Sequence, residues 1–230
     1  MRSTVILLTA VFAIVLLAGI GGKAVAQQPS AAVKPGVSAP DTVIFEDVWV
    51  YFADKPEELM LKARVDYDKK DVADAARDIQ TASAYVKVES GRASGAAKEA
   101  IRVADGQLDA LAVQVGKGAV PSGTFLDQIF GRVHYTLANA HYLRAKREWS
   151  HNAGQTAPEL EEAVTHYQHA KRWLGEEIVA ETASTLEAVH ELAGKLGMDQ
   201  AVPKADVDQG MANLRLVLDN LGKEFKPVKK

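Results

Sequence analysis

All six histidines of the chain lie in its second half. Four of them fall in two helical segments, at spacings of seven and of three, and a glutamate precedes the second pair by four residues. Residues at these spacings lie close to one face of an α-helix. Neutral imidazoles and a carboxylate on facing helices can ligate a divalent metal ion or hold a non-covalent haem in a bundle core. The candidate ligands are His134, His141, Glu162, His166 and His169.

Aromatic residues accompany these histidines at helical spacing. On a helical wheel of about 100° per residue, residues 124–149 have an aliphatic face and, opposite it, aromatic residues at intervals of seven, with His134 and His141 on the boundary. A helix that is apolar on two sides is typically covered on both, so this one should be central. The aliphatic face is Leu126, Ile129, Val133, Leu137 and Ala140. The candidate binding face is Tyr135, Tyr142, Trp149 and, from the next helix, Trp173.

Both sets of residues also have a purely structural interpretation. A histidine at such a boundary can hydrogen-bond a neighbour or water, and tyrosine and tryptophan stripes commonly pack with one polar edge. No two-histidine zinc motif of the HExxH kind occurs. A non-enzymatic protein-interaction or scaffold module without a cofactor is therefore the preferred function, with a homo-oligomer as a further option. The alternative is a bundle that binds a metal ion or haem through the histidines.

Catalytic signatures are missing from the sequence. It has no nucleophile elbow, phosphate-binding loop or dinucleotide fingerprint, so we expect no enzyme. Pairs of acidic residues are typical of solvated helix surfaces. These pairs are Glu57-Glu58, Glu161-Glu162 and Glu176-Glu177.

Composition excludes several other classes. The chain has no cysteine, which rules out disulfides, iron–sulfur ligation, covalent haem attachment and thiol nucleophiles. Its formal net charge is −3, so no basic patch indicates nucleic-acid binding.

The N-terminus has the features of an export signal. Arg2 supplies a positive charge, Val5–Ile20 is an apolar run, and Ala24-Val25-Ala26 is a small-x-small cleavage site. We predict cleavage between Ala26 and Gln27, export to a bacterial periplasm, and no membrane insertion afterwards. An uncleaved N-terminal anchor is the alternative. Without residues 1–26 the chain has 25 basic and 30 acidic residues.

The rest of the chain divides by composition. Residues 27–41 are rich in proline and alanine, which is typical of a disordered linker. Residues 42–222 form the predicted all-helical domain, and residues 223–230 a basic tail. Residues 42–52 have high strand propensity. Because no partner strand is evident, a short helix or an extended segment on the bundle is favoured there.

From Pro56 onward the apolar residues recur every three or four positions, which predicts an all-α, elongated antiparallel bundle of two long hairpins plus a C-terminal helix. The first long helix has Asp71 as N-cap and runs to Val115, with a kink or break allowed near Gly91–Gly95. The second hairpin joins residues 124–149 to a helix from the Thr156 cap to Gly197. The last helix spans 205–221, with Gly222 at C′. A shift of 88 positions aligns much of the two halves, which suggests an internal duplication of 56–116 and 122–197.

Each half resembles a tetratricopeptide-type helix–turn–helix. The small and apolar positions of that repeat match Leu59, Ala63, Ala75, Ile79 and Ala82 in the first half and Ala163, Tyr167 and Ala170 in the second. Asp66 stands where the repeat has an aromatic residue, and no proline closes either unit. The exported, all-helical pattern is also loosely similar to periplasmic YfdX-type proteins. Neither resemblance assigns a functional residue.

Overall fold

The computed structural model describes residues 41–225, with side chains from residue 55 onward except at 153. The predicted signal peptide, the linker up to residue 40 and the last five residues lie outside this part. The described residues form seven helices and no strand, which confirms the all-α prediction. The helices are α1 (Asp41–Asp68), α2 (Val72–Arg92), α3 (Gly95–Gly116), α4 (Gly123–Trp149), α5 (Ala153–Leu174), α6 (Ala180–Gly197) and α7 (Lys204–Glu224).

The first helix contains the segment with strand-like composition. Residues 42–52 belong to α1, which continues through Pro56 to Asp68. Because proline has no N–H, the helix loses one backbone hydrogen bond at that point. After a short turn, Asp71 caps α2 and accepts a hydrogen bond from the Asp74 N–H, as the sequence predicts.

The long helix favoured over residues 71–115 is not continuous. The chain takes the break that the sequence allowed near Gly91–Gly95 and forms two helices, α2 and α3, which pack against each other. The chain leaves the helical conformation at Ala93 and Ser94, which are extended, and Gly95 has a φ of +55° that favours glycine. A continuous helix and two antiparallel helices bury the same apolar stripe. Periodicity alone therefore could not separate the two arrangements.

The second half shows the same departure from expectation. The helix predicted to run from Thr156 to Gly197 breaks after Leu174, where Gly175 adopts the left-handed conformation as C-cap. Its start is also earlier than predicted, because Asn152 is the N-cap and Thr156 is buried inside α5. The predicted end at Gly197 is confirmed for α6.

Helix α4 is the central element, as its two apolar faces predict. Its aliphatic face, including Leu126 and Val133, packs in one core cluster with α1, α2 and α3. Its opposite face, including Ala138 and Tyr142, packs in a second cluster with α5, α6 and α7. Its boundary positions are therefore enclosed on both sides.

Helix α7 closes the second cluster and extends past its predicted end. Gly222, expected to terminate this helix, lies inside it and faces the Tyr135 ring on α4. A Cβ at Gly222 would lie 2.9 Å from Tyr135 Cζ, so close packing is what requires glycine here. Among the described residues, no helix combines the length and apolarity needed to span a bilayer.

Two glycine substitutions should therefore have opposite effects. We expect Gly222→Ala to lower the free energy of unfolding by about 1–3 kcal/mol, because the added methyl overpacks Tyr135. In Gly106→Ala, a Cβ would meet nothing within 4 Å, so higher helix propensity should raise stability by about 1 kcal/mol. Urea unfolding of both variants measures the difference. Equal effects of the two substitutions would contradict the packing described for α7.

Candidate functional site

The candidate site lies where α4 crosses α5. Gly131 lets the two backbones approach, because a Cβ there would lie 3.3 Å from the carbonyl oxygen of Ala170 and from Cβ of Trp173. The boundary positions of α4 then face the polar stripe of α5. This brings together all four candidate histidines, named here the histidine cluster: His134, His141, His166 and His169.

Two imidazoles meet directly at the centre of the cluster. Nδ1 of His134 lies 3.0 Å from Nδ1 of His166, and the side chains are 0% and 2% exposed. Two nitrogen lone pairs would repel at this distance. In the metal-free protein one of the two nitrogens therefore carries a proton and donates it to the other.

A buried glutamate from α1 contacts the cluster on one side. Oε2 of Glu57 lies 2.9 Å from Nε2 of His134 and 4.0 Å from Nδ1 of His169. The indole N–H of Trp173 donates to the same oxygen at 2.7 Å, and Arg172 donates to Oε1 at 3.1 Å. Burial alone would raise the pKa of Glu57, but His134, His169 and Trp173 together hold that pKa below its usual value.

An ion-pair network flanks the other side of the cluster. Arg144 of α4 donates to Glu159 of α5 at 2.8 Å and to Glu89 of α2 at 3.0 Å. Nδ1 of His141 lies 2.8 Å from the same Oε2 of Glu159. All four side chains are buried, so each charge depends on its partners to offset the lost hydration.

Three of the imidazoles are strongly disfavoured as cations. Burial lowers the pKa of His141 and His166 well below the usual range, and the positive charge of Arg144 lowers both further. Burial and the neighbouring His134 lower the pKa of His169 to about 4, against the opposing attraction of Glu57. At neutral pH these three side chains are therefore neutral imidazoles, the form that ligates metal ions.

The structure groups the candidate ligands into two sets of three. Each residue of the set His134, His166 and His169 offers one ligand atom, and these atoms lie within 4.8 Å of one another. The same holds for the set His141, Glu162 and His166. His166 belongs to both. All five residues selected from the sequence are thus in the site.

The aromatic residues have a different place from the one predicted. Tyr142 and Trp173, proposed as part of an exposed binding face, are 6% and 8% exposed and belong to the core clusters. Tyr135 and Trp149 are partly buried and pack against the second cluster. Residues of α6 and α7 share the second cluster with Tyr135, Tyr142 and Trp149, whereas Trp173 packs in the first cluster against Phe130, because burial of apolar surface is favourable.

Sequence reasoning missed four residues of the site. Glu57 was expected on a solvated surface, yet it is buried, whereas its neighbour Glu58 is exposed and pairs with Lys55. Glu159 could have been identified from the sequence, because it precedes Glu162 by three residues on the same helical stripe. Arg144 likewise follows His141 by three. No local pattern marks Glu57 or Glu89, which come from other helices.

A surface cleft lies next to the site. It has a volume of about 480 Å³, and its lining includes Arg172 and Trp173, the two residues that hold Glu57. Two residues of the cleft wall thus hydrogen-bond the carboxylate that faces His134.

Comparisons of the chain with protein-family models, with curated proteins and with solved structures found no match. Function must therefore be inferred from the geometry and chemistry of the site itself.

The lowered histidine pKa values make the stability of the metal-free protein depend on pH. An unfolded histidine has a pKa near 6.5. Below that pH the unfolded chain therefore binds protons that the buried histidines of the folded chain do not bind. With three such histidines, we expect unfolding at pH 5 to take up about three protons, with stability falling by about 1.4 kcal/mol per pH unit for each.

Urea unfolding from pH 7.5 to 5 in the presence of a chelator measures this slope. His169→Gln should lower the number of protons taken up on unfolding by about one. His151→Gln, at an exposed position outside the cluster, should leave it unchanged. A stability independent of pH over this range would contradict burial of neutral imidazoles.

Proposed function

We propose that this protein binds a divalent transition-metal ion inside its helical bundle, through His134, His166 and His169. The observation that carries the proposal is the 3.0 Å separation of the two Nδ1 atoms of His134 and His166. Two imidazole nitrogens face each other at such a distance only with a proton or a cation between them. His169 supplies the third ligand from the next turn of α5.

The spacing fits an ion after a small adjustment. Imidazole nitrogens bind zinc at about 2.0–2.1 Å, so two ligands of a tetrahedral site are roughly 3.3 Å apart. The Nδ1 pair needs to widen by only a few tenths of an ångström. A three-histidine set with a free fourth position is also a common zinc arrangement.

The surroundings of His134 support the same function. A metal-bound histidine typically donates its other N–H to a carboxylate, which fixes the ring and raises its basicity. Nε2 of His134 faces Glu57 at 2.9 Å, and Glu57 is itself held by Trp173 and Arg172. The carboxylate is thus positioned by contacts that do not depend on the ion.

The ligand chemistry narrows the choice of ion. Imidazole with carboxylate suits zinc, copper, nickel or iron, whereas calcium and magnesium prefer oxygen ligands alone. Haem, the other alternative from the sequence, fits less well. Axial nitrogens on one iron would be about 4 Å apart with a macrocycle between them, but the rings of His134 and His166 are in contact, with centroids 5.2 Å apart.

We place this activity in an exported protein, on the strength of the N-terminal signal-like segment. Metal binding without catalysis agrees with the sequence, in which no catalytic motif was found. The preference for a protein-interaction module stays a prediction. That prediction has less support at the aromatic face, because α6 and α7 cover most of the face.

Removal of two ligands should abolish metal binding at this site. We expect His134→Gln/His169→Gln to lose a zinc ion that the untagged wild type retains after equilibrium dialysis, with elemental analysis as the measurement. The matched control is His151→Gln/His190→Gln, which removes two exposed histidines. Equal zinc content in both double variants would overturn the proposal. Circular dichroism checks that each variant is folded.

Substitution of Glu57 should weaken zinc binding without removing a ligand. Glu57→Gln keeps all ligands but loses the ionised acceptor opposite His134, so we expect zinc affinity to fall about 10–100-fold. Glu58→Gln removes a charge from the adjacent, exposed residue and should leave affinity within twofold. Isothermal titration calorimetry measures both constants. An unchanged constant in Glu57→Gln would exclude a part for this carboxylate in metal binding.

A further inference from the structure

His166 occupies a nearly symmetric position between two other histidines. Its ring centroid lies 5.2 Å from that of His134, at an interplanar angle of 40°, and 5.2 Å from that of His141, at 41°. Its two nitrogens face different groups. Nδ1 faces His134 at 3.0 Å, whereas Nε2 lies 4.0 Å from Oε2 of Glu162.

His141 repeats the arrangement of His134 on the opposite side. Nη2 of Arg144 lies 2.7 Å from Nδ1 and 3.2 Å from Nε2 of His141. Nδ1 of His141 also lies 2.8 Å from Oε2 of Glu159, and a carboxylate oxygen at that distance favours the tautomer that carries the proton on Nδ1. In the neutral ring this leaves the lone pair on Nε2.

Each outer histidine therefore has one nitrogen within 2.9 Å of a carboxylate oxygen. For His134 the carboxylate is Glu57, and for His141 it is Glu159. This is the pattern expected on either side of a metal site. A single ion at the first set would explain Glu57 and His134 but not the matching pair on the far side.

We infer that the bundle holds a second divalent transition-metal ion, ligated by His141, Glu162 and Nε2 of His166, so that the His166 ring bridges two ions. This inference rests on the proposed function and extends it from one ion to a pair. The second site is mixed, with two nitrogen ligands and one oxygen ligand, whereas the first has three nitrogens.

Charged side chains of both signs surround the cluster. The buried glutamates Glu57, Glu89 and Glu159 and the half-buried Glu162 contribute four negative charges next to the histidines. Arg144, Arg92 and Arg172 offset part of this charge. A buried group of like charges is costly unless cations of opposite sign accompany it.

A His166 ring that bridges two ions determines how many protons are released when they bind. A neutral imidazole has one N–H, and the first ion on Nδ1 of His166 leaves that proton on Nε2. The second ion can bind Nε2 only if this proton leaves to solvent. Uptake of the second ion should therefore release one proton per chain and weaken as the pH falls.

Zinc stoichiometry in a set of variants tests the inference. We expect two Zn²⁺ per chain in the wild type, one in His134→Gln/His169→Gln, one in Glu162→Gln and none in His166→Gln after dialysis. The matched control is Glu161→Gln, which removes the neighbouring carboxylate that pairs with His190 and should retain two. Calorimetry in two buffers of different ionisation enthalpy should show one proton released with the second ion.

The outcomes separate the two proposals. One ion in the wild type, lost in His134→Gln/His169→Gln but not in Glu162→Gln, overturns the second site and leaves the proposed function standing. No ion in the wild type overturns both. Two ions in Glu162→Gln, or one in folded His166→Gln, overturn the bridge. If His166→Gln does not fold, the zinc contents of Glu162→Gln and Glu161→Gln decide whether the second site exists. Equal contents in these two variants overturn it.

Discussion

The burial of many ionisable groups at one helix crossing is the constraint on which the rest of the structure depends. Three of the four imidazoles and three glutamates are withdrawn from water together with the guanidinium of Arg144. A buried polar group is tolerated only when it is paired, and a partly paired network is worse than an apolar one. Each helix that meets at the crossing therefore contributes a partner: α1 supplies Glu57, α2 supplies Glu89, and α5 supplies Glu159.

Helix α4 makes this burial possible because it has apolar contacts on two sides. Its aliphatic face anchors α1, α2 and α3, and its aromatic face anchors α5, α6 and α7. The histidines lie in the narrow strip between the two faces. A helix with a single apolar stripe would leave such a strip exposed to water. Exposed imidazoles have ordinary pKa values, and no packing force holds them together.

The sequence predicted the parts of this architecture that depend on local periodicity. Spacings of seven, four and three identified the histidines, Glu162 and the central place of α4, because residues on one helical face must share an environment. The break at Ala93–Ser94 was allowed but not favoured, and the break at Gly175 was not predicted, since a hairpin and a straight helix bury the same stripe. Glu57 and Glu89 were inaccessible to such reasoning. Only the tertiary fold turns these two glutamates, which look like surface residues, towards the cluster.

The separation of these groups along the chain has a consequence for how the interior forms. His134 and His166 lie on neighbouring helices joined by a short connection, so they can meet early, whereas Glu57 is 115 residues from Arg172 and 116 from Trp173. Contacts between distant residues carry a larger loop-closure entropy and form late. We therefore expect docking of α1 to complete the enclosure of the cluster during folding. Until then, the imidazoles would exchange protons and ions freely with the solvent.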